Sequence, residues 1–469
     1  MRASDGRARL GPNGDNRTPP TALILRLICA NSAGCVGVAG PDQARRGEKD
    51  LNVRPISGAS VDARGHGRKA LLALASGVLL IAVTACGGGG GSDAASDAKD
   101  KGKDSSQAET KQSEAVVSIA PKNGAKSVDT SGALKVGAAK GTLTEVSVKD
   151  GKGTEIAGKI TGGGAAWTPS THLASGTKYT VHAVAKDSEG RTAAEDSSFT
   201  TLTPQNTFVG NFTPEDGSKV GVGMPFSIRF TRGITHPEDV EKAITIKTEP
   251  AVEVAGHWFG NDRLDFRPEK YWKEGTKVTV GLNLDGVEGR DGVYGDQTKT
   301  VSFTIGRNQV SVVDAKKLTM KVMQDGKVVK TIPVTTGKPG METWNGQMVI
   351  SERLTVTRMN GATVGYTDAE GKGEYDIKDV PHAMRLTNSG TFIHGNYWGG
   401  GAFGNYNASH GCIGLRDVQG GYDSGVPAAW FFNHSMIGDV VVVKNSDDAT
   451  VAADNGFNGW NMSWEKWKA

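Results

Sequence analysis

The sequence predicts a mainly β chain, with two tandem β-sandwiches followed by a third β-rich domain. Three observations carry this expectation. The turn-forming run Pro121-Lys122-Asn123-Gly124-Ala125-Lys126 returns as Pro214-Glu215-Asp216-Gly217-Ser218-Lys219, and Gly176-Thr177-Lys178-Tyr179-Thr180-Val181 returns as Gly275-Thr276-Lys277-Val278-Thr279-Val280. Each unit closes on the same triplet, Ser198-Phe199-Thr200 or Ser302-Phe303-Thr304, with alternating strands and turn signals in between, which is a sandwich pattern. Farther on, runs at 318–323 and 327–334 flank Gln324-Asp325-Gly326, a hairpin signal, and 439–443 reads as a closing strand.

Length agrees, since 469 residues suffice for about three domains. With 65 glycines, 6% aromatic residues and a formal charge of +3, the chain is loop-rich and offers no bulk electrostatic case for a nucleic-acid partner. It has no apolar tract long enough for an ordinary spanning helix.

Taken in order, residues 1–60 are rich in Arg, Gly and Pro without periodicity and read as a non-native or disordered leader. A start placed too far upstream is expected there, with Val53 or Val61 as the residue a GTG start would specify. Cys29 and Cys35 lie in no metal-ligand spacing. Residues 61–86 read as a secretory signal. Arg64-Gly65-His66-Gly67-Arg68-Lys69 supplies the basic region and 70–85 the apolar core. The ending Val83-Thr84-Ala85-Cys86 resembles a bacterial lipobox, which implies lipidation of Cys86 and an extracytoplasmic, membrane-anchored location. Residues 87–115 form a polar tether, with no Val, Leu, Ile or aromatic residue from 87 to 114. The sandwiches are placed at 116–203 and 204–308, the third domain at 309–447, and a Trp-rich extension at 448–469.

The chemistry centres on Ser409-His410-Gly411-Cys412, preceded by Phe392-Ile393-His394-Gly395. Cys412 is the last of four cysteines. A thiol needs a base within hydrogen-bond reach and a third group to orient that base, and both His394 and His410 are placed to serve. The Gly- and aromatic-rich loop between them, which includes Trp398, would return Cys412 to the strand end carrying His394. Gly411 permits close backbone approach, so amides around Gly411 and Cys412 would face a developing oxyanion. The competing reading is a buried free cysteine between two structural histidines.

These residues resemble the L,D-transpeptidase catalytic domain. The likeness extends to Ile332-Pro333-Val334-Thr335-Thr336-Gly337-Lys338, Trp430-Phe431-Phe432 and Gly438-Asp439-Val440-Val441-Val442. It implies Cys412 as nucleophile, His394 as general base and the Gly395 carbonyl as the group that orients the imidazole, with His410 a second proton partner. Tyr375, Trp398, Ser409 and Gly411 are then substrate-binding residues. The implied substrate is a peptidoglycan stem peptide, carbapenem β-lactams are implied inhibitors, and neither metal nor cofactor is implied. The family usually has Arg or Asn two residues after the nucleophile; this chain has Gly414, with Arg416 a candidate replacement.

The sandwiches resemble the immunoglobulin-like modules of actinobacterial L,D-transpeptidases, and spacing is their expected task. Carbohydrate binding through Tyr271-Trp272 is the lesser alternative. Residues 358–380 resemble a lid over the substrate cleft, and 417–432 read as the one helix of the third domain, with His434 capping it. Trp460, Trp464 and Trp467 fall on one helical face that docks on the protein, or else on a membrane surface. Two functional alternatives remain at this point: hydrolysis by the same site, as an L,D-carboxypeptidase, and a wall-binding module whose site has decayed through Gly414.

Overall fold

The computed structural model describes residues 111–469. Cys86, the signal and most of the tether lie outside the described residues.

Both sandwiches follow from period-two patterning. In Lys178–Lys186 the residues Tyr179, Val181, Ala183 and Ala185 alternate inward. In Lys277–Asn283 Val278, Val280 and Leu282 do the same. Each sandwich has two four-stranded sheets, and a three-stranded sheet is added to the second. The repeated turn has one structural task. Gly124 N donates to Ser198 O at 2.7 Å and Gly217 N to Ser302 O at 2.7 Å. Likewise Ser198 N donates to Asn123 Oδ1 at 2.9 Å and Ser302 N to Asp216 Oδ1 at 2.7 Å. Both glycines sit at positive φ, +79° and +75°, which explains the repeated Gly.

The second core, built on Phe226, Ile228, Leu264, Trp272 and Phe303, continues into the third domain through Val440. Backbone bonds seal that junction, from Gly221 N to Ile437 O and from Gly223 N to Gly438 O, both 2.8 Å. Tyr271 and Trp272 are packing residues here. Trp272 is buried and donates to Met224 O at 2.7 Å, and Tyr271 stacks edge-on against Trp460 at 4.8 Å.

The third domain is a nine-stranded sheet in the order Gly346–Val349, Val440–Lys444, Gln309–Asp314, Thr319–Gln324, Lys327–Thr335, Ile413–Arg416, Phe392–Asn396, Asp376–Arg385, Glu352–Asn360. The expected hairpin is present, with Asp325 and Gly326 both at positive φ between its strands. One expectation needs correction. The helix spans only Pro427–Asn433, because Gly420 and Gly421 take left-handed φ of +79° and +64° and Pro427 at the first turn fixes where the helix begins. The lid-like segment 358–380 has a defined form, since Glu352–Asn360 and Asp376–Arg385 pair antiparallel and 361–375 make the tip between them.

The C-terminal extension also differs from a single helical face. Met462, at φ −93° and ψ 141°, separates a 3₁₀ turn at Gly459–Asn461 from the helix Trp464–Lys468. Trp460 and Trp467 are nevertheless both buried against the second sandwich. Trp467 Nε1 donates to Ala255 O at 2.9 Å and Trp460 Nε1 to Gly223 O at 2.7 Å, while the Arg267 guanidinium lies 4.3 Å and 4.8 Å from their rings. The extension therefore docks on the protein.

Candidate active site

Two adjacent parallel strands carry the reactive side chains, paired Ile393↔Ile413 and His394↔Gly414. The His394 strand is buried throughout, as its Phe-Ile start demands. His394 Nδ1 lies 2.8 Å from Gly395 O, which fixes the ring and leaves Nε2 for the cleft. Trp398, 41% exposed, stacks on that ring with centroids 5.8 Å apart at 18°. Burial pushes the His394 pKa down, against the Gly395 hydrogen bond and the Asp417 charge.

Cys412 is half-buried at the head of the neighbouring strand, and its Sγ donates to Gly390 O at 3.7 Å. Burial pushes the thiol up to about 11. Among the described residues Sγ forms no hydrogen bond to either histidine, a geometry that tightens in many enzymes only when substrate is bound.

The nucleophile loop is braced from inside. Ser409 Oγ donates to Cys412 O at 2.6 Å and accepts from Gly411 N at 3.2 Å. Ser409 N donates to Thr336 O, and Lys338 N to Ser409 O. Gly411 sits at φ +105°, a conformation that requires Gly. The Ser409 hydroxyl and the Gly411 amide are thus taken up within the loop, because a turn this tight must satisfy its own polar groups. The expectation that the Gly411 amide faces an oxyanion is corrected accordingly.

His410 turns toward the hairpin tip. Its Nε2 lies 3.3 Å from Glu374 Oε2 and 3.3 Å from Lys338 Nζ, and its ring packs against Tyr375 at 4.9 Å and Tyr366 at 5.9 Å. Burial, with the Lys338 charge, holds its pKa low. Burial first and then the Cys412 charge push Tyr375 up to about 12. Val364, also on the tip, packs close to Gly390, the thiol's acceptor. His434 caps the Pro427–Asn433 helix, with Nδ1 2.7 Å from Trp430 O, and takes no part in the site.

Sequence reasoning missed Lys338 and Glu374 as neighbours of His410, and Asp417 and His382 behind His394. Lys338 does fall in the run 332–338, but nothing local ties any of the four to a histidine of the site; the way the strands and the hairpin tip come together does.

At Gly414 φ lies outside the left-handed region, so contact, not backbone conformation, is what favours glycine. A Cβ there would come within 2.8 Å of Thr335 Cγ2 and 3.3 Å of Asn396 Nδ2. The Asn396 amide, projecting from the partner strand, already fills that volume, and its buried Oδ1 lacks a hydrogen-bond partner. Arg416 is exposed and does not replace the missing side chain there. Gly414→Asn is therefore expected to destabilise the domain by about 1–3 kcal/mol through overpacking and to slow thiol acylation. Parent-like denaturant unfolding together with parent-like stopped-flow acylation would sink the steric account.

Comparison with known proteins matches residues 308–443 to the family described as L,D-transpeptidase catalytic domain and residues 125–288 to the bacterial Ig domain. L,D-transpeptidase 2 of Mycobacterium tuberculosis is 33% identical over 399 residues, 85% of this chain and 94% of that protein. L,D-transpeptidase 5 of the same organism is 29% identical over 341 residues, 71% of this chain and 72% of that protein. A solved LD transpeptidase in complex with imipenem is 27% identical, covers 51% of this chain and 100% of its own, and superposes with a TM-score of 0.42. One-third identity over 85% of this chain and 94% of that relative, with the catalytic-domain match at 308–443, leaves one conclusion, that this chain belongs to the L,D-transpeptidase family.

Proposed function

We propose that this peptidoglycan L,D-transpeptidase works through Cys412 as nucleophile and His394 as general base. The observation that carries the assignment is the His394 imidazole, held at Nδ1 by Gly395 O at 2.8 Å on the strand beside the Cys412 strand. The thiol proton passes to Nε2 as Sγ attacks the carbonyl joining a diamino acid to D-Ala in a tetrapeptide stem. The tetrahedral oxyanion takes the Cys412 amide, since Gly411 N is committed to Ser409. On collapse the C–N bond breaks and the imidazolium returns its proton to the departing D-Ala amine, leaving a thioester. The side-chain amine of a neighbouring stem's diamino acid then attacks that thioester, loses a proton to His394, and frees the thiol as the cross-link forms. Tyr375 and Trp398 wall the cleft, and His410 holds the hairpin tip against the nucleophile loop.

Relatives named as transpeptidases across this chain's length favour transfer over hydrolysis. Full-length protein incubated with a disaccharide-tetrapeptide should give a cross-linked dimer and D-Ala by mass spectrometry. Tripeptide alone would instead select the carboxypeptidase reaction. The same thiol is proposed to accept carbapenems, on the strength of related proteins solved in complex with imipenem or carrying a faropenem-derived adduct.

The proposal includes secretion and anchoring through a lipid on Cys86, supported by the basic and apolar run before Val83-Thr84-Ala85-Cys86. The mature protein should begin at Cys86, partition into detergent, and become soluble as Cys86→Ala. A mature N-terminus upstream of Ala70 would contradict this.

A further inference from the structure

Behind the His394 strand lies a buried pair of ionisable side chains for which the reaction has so far had no use. His382 Nδ1 donates to Asp417 Oδ2 at 2.8 Å, and the two residues are 7% and 6% exposed. They come from the strand outside His394 and from the end of the Cys412 strand, so the pair bridges both neighbours of the strand that carries the base. Asp417 Oδ1 accepts from Val418 N at 2.8 Å, and Asp417 N donates to Asn396 O at 3.3 Å.

The carboxylate is set against Gly395, the residue whose carbonyl orients the imidazole. A Cβ at position 395 would overlap Asp417 Oδ2, so this glycine and this aspartate are a matched pair in which the carboxylate occupies the volume a side chain would take. His382, the residue that holds Asp417, sits at φ +51°, a left-handed conformation that is unfavourable for a residue with a side chain and persists only where its surroundings enforce it.

The other charged groups around the pair have partners elsewhere. Asp379, on the His382 strand, is engaged by Tyr397 Oη at 2.7 Å and Gln419 Nε2 at 3.0 Å. Phe432, from the helix, packs on the His382 ring at 5.1 Å and carries the Arg353 guanidinium 4.2 Å from its own ring. Gly421 closes the remaining side of His382, and Arg416 is exposed. Burial lowers the His394 pKa, and the Asp417 charge acts against that burial.

We propose that Asp417, held by His382, is a positioning residue for His394: its carboxylate fixes the Gly395 peptide that orients the imidazole and stabilises the positive charge the ring gains on taking the Cys412 proton. This rests on His394 as the base. The proton stops at Nε2 of His394, leaving thiolate and imidazolium.

The test uses the full-length chain as parent, Asp417→Asn and Asp417→Ser, the serine variant being smaller and neutral should the asparagine variant fold poorly. Imipenem acylation is followed by stopped flow across pH, and the His394 ring titration by NMR. Both variants should acylate roughly tenfold to a hundredfold more slowly, part of the ~10²–10⁴ a positioned base contributes. The acid limb should move to lower pH, because loss of the negative charge disfavours imidazolium. An unchanged rate, or a slower rate with the limb in place, would overturn the proposal, the second result marking a role in packing alone. Acylation of His394→Ala at the parent rate would instead bring down the base assignment. The NMR titration separates the two failures, since it reads the hold of Asp417 on His394 whether or not His394 is the base.

Discussion

Cys412→Ala should release no D-Ala from a tetrapeptide stem and form no adduct with a carbapenem, while remaining folded. A half-buried side chain whose hydrogen bond is a long one to a carbonyl oxygen at 3.7 Å, and which belongs to none of the hydrophobic core clusters, contributes little to the core, so the loss is chemical. Cys412→Ser should fall by at least about 10³-fold, a smaller loss than the roughly 10⁶ that follows when a triad nucleophile is removed outright. The hydroxyl keeps the position but loses the thiolate, and a buried alkoxide is still less accessible than a thiolate pushed up to about 11. Intact mass after imipenem should show one adduct on the parent and none on the alanine variant. Retained D-Ala release by Cys412→Ala would end the assignment.

What could be read without coordinates was whatever the chain repeats or spaces locally. The sandwiches announced themselves because the same turn must present an Asn or Asp acceptor and a left-handed Gly to the same closing strand, and sequence records both demands at Asn123-Gly124 and Asp216-Gly217. Cys412 and His394 were legible because a lone thiol among histidines is chemically conspicuous. The helix boundary was not, since Gly420 and Gly421, which fall inside the expected helix at 417–432, in fact precede it. The C-terminal tryptophans suggested one continuous face because spacing does not show that Met462 is extended. Least visible was Asp417. It lies five residues after the thiol in sequence, but its meaning depends on the missing Cβ of Gly395 and on a histidine from another strand. Local periodicity carries no record of such a three-strand coincidence.

His394→Ala is the second variant in which a large loss is expected, and its pH dependence identifies the cause. A thiol at about 11 is ionised in about one molecule in 10⁴ at pH 7, so without a base nearly all of the enzyme holds an unreactive thiol. In the parent, burial lowers the His394 pKa below its ordinary value, so the ring is neutral and ready to accept a proton at neutral pH; activity falls only as the medium becomes acidic enough to protonate it. Removing the ring should slow acylation about 10²–10⁴-fold at pH 7. The variant's rate should then climb with pH as hydroxide replaces the base, so the gap to the parent narrows as pH approaches the thiol's own pKa. His434→Ala, which alters only a helix cap stacked on Trp430, should acylate at the parent rate. Stopped-flow acylation from pH 5 to 10 reads all three proteins together. Equal losses from His394→Ala and His434→Ala, or a gap that stays constant with pH, would show that the base lies elsewhere.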